Sequence, residues 1–560
     1  MESQILNRIS QTEFLLRKFR NARQRFANDE NGAVLVFALV LFVLMVMMGG
    51  LAVDLMRAET TRTTIANTLD RSTLAASGLS QKLLPKSVVE DYFAKAGMTS
   101  YLKTVTVSEG LNFRNVNAVA LADAKPFFMH MLGINKLEAG GASTAEQRIN
   151  NVEIALVLDV SGSMQGTKIT NMKAAAAEFV ATVLLSDADD RISIGLVPYN
   201  GQVNLGATMA AKYNLTARSG KPDSQCVDLP PSVYTTTDMS RTLALPETAY
   251  ADTLSSTTRT TSYLATTSGQ MNPGFAWCPA GQNNIVRPPI NNVSTLQGYI
   301  NGLNAVGATS INAGLKWGLA LLDPASRPMF AELATANQIS SIFLVRPSEY
   351  TDLGAMKVIV LMIDGEHWPE ERMNTAYKDG LSPIYKGSDG YYSIRHTANR
   401  PSQAGTNEYF VPHLCVSNNC KSGADTTEAW KSVKWSSGAQ QTWQQVWATF
   451  RVSYVAWQMY ERALGKDSNR SSTYNTWMAN FKTTTADTTM DTQLQAICTL
   501  AKSKKNVTVY GIAFEAPTRG QQMISQCSSG ASYFFVSSAT NIKTAFRAIA
   551  TNITQLRLTQ

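Results

Sequence analysis

The chain has 560 residues, 44% of them hydrophobic and 16% charged, with a formal net charge of +8 and an isoelectric point near 9.0. That apolar fraction supports real cores and excludes wholesale disorder, while the length exceeds one ordinary core and predicts two or three domains. The positive balance does not point to nucleic acid, because much of it is one local cluster beside an apolar run.

In chain order, that cluster comes first. Residues 8–25 hold Arg8, Arg17, Lys18, Arg20, Arg23 and Arg25 against a single acid, Glu13. The run AVLVFALVLFVLMVMMGGLAV, residues 33–53, has no charge in 21 positions. At ~1.5 Å rise per residue it reaches about 30 Å, the thickness of a hydrocarbon core. A signal peptide has an apolar region of only about 7 to 15 residues followed by a small-residue cleavage site, so the run reads as an uncleaved anchor. Beyond it Asp54, Arg57, Glu59, Arg62 and Asp70 mix their signs, which orients a basic N-terminal segment, 1–32, toward the cytoplasm. In a bacterium this predicts a single-pass inner-membrane protein with its bulk in the periplasm and contact with the membrane through one N-terminal helix.

The stretch RAETTRTTIANTLDRSTLAASGLSQKLL places apolar residues at Ile65, Leu69, Ala76, Leu79 and Leu83, predicting that the anchor helix continues until Pro85 stops it. Two alternating runs, KTVTVSEG and VNAVALAD, and a short apolar helix around Phe127–Leu132 complete a small α+β stalk over 54–148. From Val152 the rhythm changes. VEIALVLDV and RISIGLVPY are nearly continuous apolar runs separated by a helical pattern, the mark of parallel strands buried on both faces. MKVIVLMIDG, NVTVYGIAF and SYFFV resume it, each set among helical segments. The predicted fold class is α/β, a doubly wound, mostly parallel sheet over 150–560. Two stretches, about 201–295 and 366–485, are too long for loops and read as insertions with structure of their own. The second carries most of the tryptophans; Trp443, Trp447, Phe450, Tyr454 and Trp457 fall on one helix face and read as core.

Six cysteines, Cys226, Cys278, Cys415, Cys420, Cys498 and Cys527, all lie in the exported part. Sequence order favours disulfides between Cys226 and Cys278, Cys415 and Cys420, and Cys498 and Cys527. No CxxC occurs and the four histidines show no ligand spacing near them, so a zinc site is disfavoured.

Ligands of a doubly wound sheet bind beyond the carboxyl ends of its strands. Asp159 sits there on LVLDVSGSM, with Ser161 and Ser163 at alternate positions. Such a turn can simply cap a helix. GATSINAGL adds Thr309 in a glycine-flanked loop, however, and VLMIDGE adds Asp364 at another buried strand's end. Five oxygen residues on one rim suit a hard divalent cation: Mg²⁺ first, Ca²⁺ or Mn²⁺ as alternatives. His367, two residues beyond Gly365, reads as a loop residue without a role.

The set Asp159, Ser161, Ser163, Thr309 and Asp364 resembles the metal-ion-dependent adhesion site (MIDAS) of von Willebrand factor type A domains, whose order of strands and helices the chain also follows. The resemblance implies that Ser161, Ser163 and Thr309 bind the metal directly, that Asp159 and Asp364 act mostly through water, and that a partner's acidic residue fills an open position. Ile363 departs from the hydroxyl residue often found there. The N-terminal segment NDENGAVLVFALVLFVLMVMMGGLAVDLMRAETTRTTIANTLDRSTLAA and the ending IATNITQLRLTQ resemble TadG-type proteins of tight-adherence (Flp) pilus assembly. Gly32 before the apolar run is similar to a prepilin processing site, but Phe37 stands where pilins carry glutamate. No triad or phosphate loop is evident. The expected function is therefore not enzymatic: a membrane-anchored periplasmic protein that binds pilus assembly or pilin-like proteins through a divalent cation, with a metal-dependent hydrolase or a structural subunit with an idle site as alternatives.

Overall fold

The computed structural model describes residues 17–25, 31–78, 81–109, 113–148, 151–187, 190–256, 269–352, 354–415, 428–465, 470–503 and 507–554. They form two compact units, the first within residues 1–109 and 113–148, the second holding 149–560.

In the first unit one helix, α1 (Asn31–Ser77), runs 47 residues without a break. Part of it is long and apolar enough to cross a membrane. Its later turns pack Ile65, Leu69 and Ala76 against a three-stranded antiparallel sheet, β1 (Leu102–Glu109), β2 (Phe113–Ala124) and β3 (Leu137–Arg148). The sheet face is small, with Ala118, Ala120 and Ala122 buried and Gly141 facing Leu69, so the helix can lie close to the strands. Pro85 does not end α1. It occupies the first turn of a separate helix, α2 (Pro85–Lys95), where its missing N–H costs nothing. The apolar helix expected at Phe127–Leu132 is a single tight turn, Met129–Leu132.

The second unit centres on a six-stranded sheet. Its strands in chain order are β4 (Asn151–Asp159), β5 (Ile192–Tyr199), β6 (Arg287–Ile290), β7 (Ala355–Ile363), β8 (Val507–Phe514) and β9 (Phe534–Ser537). Their spatial order is β9-β8-β7-β4-β5-β6, with all neighbours parallel except the edge pair β5–β6. Alternation along β4 serves both faces. Ile154, Leu156 and Leu158 meet Phe179 and Val183 of α3 (Thr167–Leu185) and, from the C-terminal helix, Phe546 and Ile549. Ala155 and Val157 face Leu315 and Trp317 of α4 (Ile311–Leu322) and the core of α5 (Asp487–Ser503). Burial on both faces is why these strands read as unbroken apolar runs.

Five short strands, 381–386, 392–395, 409–410, 430–431 and 439–442, build a separate sheet, and the aromatic stripe packs with it as a distinct core. All five stripe residues are buried, but not on one helix: the first helix ends at Thr449, and Phe450 and Arg451 are extended before the chain turns helical again. Disulfides join Cys226 to Cys278 and Cys498 to Cys527. The pairing expected for Cys415 involves Cys420, which lies outside the described residues, as do Leu79 and the ending QLRLTQ.

Candidate metal centre

β4 and β7 are hydrogen-bonded neighbours in parallel register, Leu158 opposite Met362. Asp159, the last residue of β4, and Asp364, the first beyond β7, therefore reach the same rim. Past Asp159 the chain turns tightly through Gly162–Met164 before α3 begins. The Ser161 amide donates to Asp159 Oδ1 at 2.8 Å, fixing the carboxylate beneath the turn. Ser161 Oγ and Ser163 Oγ lie 3.0 Å apart, and Ser163 Oγ donates to Asp364 Oδ1 at 2.7 Å.

The third loop docks by its backbone. Val306 N donates to Val160 O at 2.8 Å, and Gly162 N donates to Gly307 O at 2.9 Å. A β-carbon on Gly162 would crowd that carbonyl at 3.1 Å, and Gly307 has φ +84°, a left-handed backbone that favours glycine. Thr309 is thereby held buried beside the turn, and its carbonyl accepts from Trp368 N at 3.0 Å. Asp159, Ser161 and Asp364 are also buried, whereas Ser163 is exposed and marks the mouth of the site.

Burial, and then the neighbouring Asp364 carboxylate, push the Asp159 carboxyl up to about 7. Three groups at the site carried no periodicity or motif signal. Tyr199, at the end of β5, donates from its hydroxyl to Asp159 Oδ2 at 3.2 Å and to Met362 O at 3.1 Å. Gly314 makes room for that ring, since a β-carbon there would fall 2.6 Å from it. Lys168 Nζ donates to Asp364 Oδ2 at 3.0 Å. Trp368 is 55% exposed just beyond the site.

His367 has a structural task, contrary to the expectation of an idle loop residue. It is buried, its Nε2 accepts from the Asn312 amide at the start of α4 at 3.1 Å, and its Nδ1 lies 2.7 Å from Asp491 Oδ1 on α5. It thus ties the loop after β7 to the helix that follows Thr309. Burial holds its pKa below the ordinary value against the pull of Asp491, matching a neutral ring with an accepting Nε2.

No curated protein matches the chain. Among solved structures, the vWF domain of the type V pili tip protein Mfa5 from Porphyromonas gingivalis matches at 12% identity, covering 74% of this chain and 98% of that one, with a TM-score of 0.30. The open conformation of the pilus adhesin SpaC from Lactobacillus rhamnosus GG matches at 10% identity over 80% of this chain and 33% of its own, TM-score 0.27. Proximal thread matrix protein 1 from the mussel byssus, with a zinc-occupied MIDAS motif, matches at 8% identity over 72% and 46%, TM-score 0.23. The chain spans only a part of the last two proteins. Residues 32–78, nearly all of the long N-terminal helix, are similar to the family described as Flp pilus-assembly TadE/G-like.

Proposed function

We propose that the protein is a membrane-anchored binding component of Flp-type (tight-adherence) pilus assembly or surface attachment that holds its partner through a divalent cation at the Asp159 rim. In this reading 33–53 span the inner membrane, the N-terminus is cytoplasmic, 54–148 form a periplasmic stalk and 150–560 are a von Willebrand factor type A domain. The strand order, with its single antiparallel edge and the serine turn at the carboxyl end of a central strand, supports that assignment.

The observation that carries the reading is the convergence of side-chain oxygens from separate elements: Ser161 and Ser163 after β4 and Asp364 after β7, linked at 3.0 and 2.7 Å, with the Thr309 loop bonded onto the same turn. Hydroxyls and carboxylates without nitrogen or sulfur suit a hard cation, Mg²⁺ before Ca²⁺ or Mn²⁺. Two carboxylates crowding a buried rim leave negative charge that such an ion offsets. Once bound, the cation would offer a coordination position to an acidic group of a pilin-like or pilus assembly protein. The serine and threonine hydroxyls would hold it without adding charge, Tyr199 and the Ser161 amide would keep Asp159 oriented, and Trp368 would offer the partner an apolar anchor.

Mn²⁺ titration of the full-length protein in detergent, followed by electron paramagnetic resonance, tests the site. One site per chain is expected, weakened about a hundredfold in Ser161→Ala, a change of roughly 2.7 kcal/mol. Binding that ignores this substitution would sink the assignment. Retention of pilin-like proteins on the immobilised chain should then be released by EDTA. Because the Lys168 ammonium holds Asp364 Oδ2, Lys168→Met removes a competing cation and should tighten Mn²⁺ binding about tenfold. Weaker binding in that variant would make Lys168 a support for the site instead.

A further inference from the structure

The turn between β2 and β3, sequence KPFFMHMLGINK (residues 125–136), is built unlike a water-facing loop. Phe127 is 66% exposed, Met131 83% and Leu132 48%, with Phe128 and Ile134 also exposed. This apolar tip lies against α1. Phe128, Met131 and Leu132 of the turn and Phe42, Val46 and Leu51 of the helix line a cavity of 320 Å³ with almost no polar wall. Gly50 permits the approach, since a β-carbon there would stand 2.4 Å from the Phe128 ring.

Those helix residues fall inside the charge-free run 33–53. At ~1.5 Å per residue, Leu51 sits about 3 Å and Phe42 about 16 Å inside the end of that run, so the turn reaches well below the level where the helix leaves the membrane. Backbone at such depth must have its polar groups satisfied by protein. Six amides of the turn meet that demand. The Phe127, Phe128 and Met129 amides all donate to the carboxylate of buried Asp54, at 2.9, 2.7 and 2.8 Å. The amides of Met131, Gly133 and Ile134 donate to carbonyls within the turn, at 3.1, 3.0 and 3.1 Å. Cations rim the apolar tip: Lys125 and Lys136 are exposed, and the Arg57 guanidinium stacks 4.4 Å over the Phe127 ring.

We infer that residues 127–134 form a second membrane anchor, a re-entrant turn buried among the acyl chains of the leaflet from which α1 emerges, with a lipid chain in the cavity beside Phe128. The occupant is lipid, not protein, because the face continues directly from the segment that itself crosses the bilayer. Lys125, Lys136 and Arg57 stand where headgroup phosphates would be. Asp54 is the clamp: one residue beyond the apolar run, it neutralises three amides that would otherwise be carried into hydrocarbon unpaired. In the orientation proposed above the leaflet is the periplasmic one. The inference rests on the membrane-anchored reading of α1 and needs a test that separates the two.

The test uses the full-length chain in phosphatidylethanolamine–phosphatidylglycerol vesicles, with an environment-sensitive fluorophore on Met131→Cys, on Val40→Cys within the span, or on the exposed Leu84→Cys of the same unit. Nitroxide lipids labelled near the headgroup should quench the Met131 label at least about twofold and iodide should not reach it, with Leu84 showing the reverse. Quenching of Val40 by chain-end nitroxides with Met131 open to iodide would overturn the turn's insertion alone. If neither label responds to nitroxide lipid, the membrane reading of α1 falls and takes the inference with it. A Met131 label shielded from iodide but unquenched by lipid, and released on dilution into excess vesicles, would assign the face to a second copy and overturn the lipid assignment. Asp54→Ala should cut the Met131 quenching by about half; unchanged quenching would overturn the clamp.

Discussion

Glu153→Ala should destabilise the second unit by about 3–5 kcal/mol, the largest loss expected of any single substitution considered for this protein. Glu153 on β4 and Lys357 on β7 stand directly opposite in register, both buried, and their side chains are ion-paired. Removing the carboxylate strands an ammonium with no solvent exposure between the two central strands, and the Ser348 amide loses its 2.8 Å acceptor. Burial already holds the Lys357 pKa below its ordinary value against the attraction of Glu153. The pair is nonetheless not an efficient source of stability, because both ions were desolvated to form it. Glu153→Leu combined with Lys357→Met should therefore recover most of the loss. Urea unfolding followed by tryptophan fluorescence reads all three chains. A single variant within about 1 kcal/mol of the parent would contradict the burial of the lysine.

The second large effect is acid sensitivity from His396. Its ring is buried beside Trp430 and Tyr460, and Nε2 lies 2.9 Å from the Met459 carbonyl, to which it donates. Burial lowers its pKa to about 4 from the ordinary 6.5. The folded chain keeps this ring neutral while the unfolded chain protonates it, so its contribution is complete above 6.5 and declines as pH falls toward 4, by about 3 kcal/mol in all. Asp159 acts in the opposite sense: raised to about 7, it takes up a proton in the folded state first and favours folding as pH falls through the same window. The total slope therefore mixes the two. The difference between the parent and His396→Gln, which keeps a donor for Met459 and cannot titrate, isolates the histidine. That difference should shrink by about 3 kcal/mol between pH 7 and 4; a constant difference would refute the neutral buried ring.

The sheet was legible where physics leaves a local trace. Val152–Leu158 and Ala355–Ile363 are apolar runs interrupted only by the paired Glu153 and Lys357 because both faces are covered, and a run that stops at an acid announces a strand end. What escaped was set by distant contacts. The strand β3, LEAGGASTAEQR, shows no apolar alternation because its inner face is pared down to alanine and glycine to admit α1. The edge strand β6 is RPPI, whose two prolines argue against a strand until one sees that it borders the sheet on one side only. Pro85 was ambiguous because proline both stops one helix and starts the next. At the rim, the chain order disclosed Asp159, Ser161, Ser163, Thr309 and Asp364 as a pattern. Lys168, Tyr199 and Trp368 meet them only through folding, and the role of His367 became visible only with its partners on α4 and α5.

The unbroken α1 has a mechanical side. Its 47 residues make a post of ~70 Å, whose upper turns, from Ile65 to Ala76, are packed against the three-stranded sheet, leaving ~36 Å of helix beyond the apolar run. A post without a joint turns any lean of its lower half into travel at the top: a tilt of about 20° carries the far end through ~12 Å. In the membrane-anchored reading proposed above, bilayer thickness, which governs how far such a rod must lean, would therefore set the position of the three-stranded sheet.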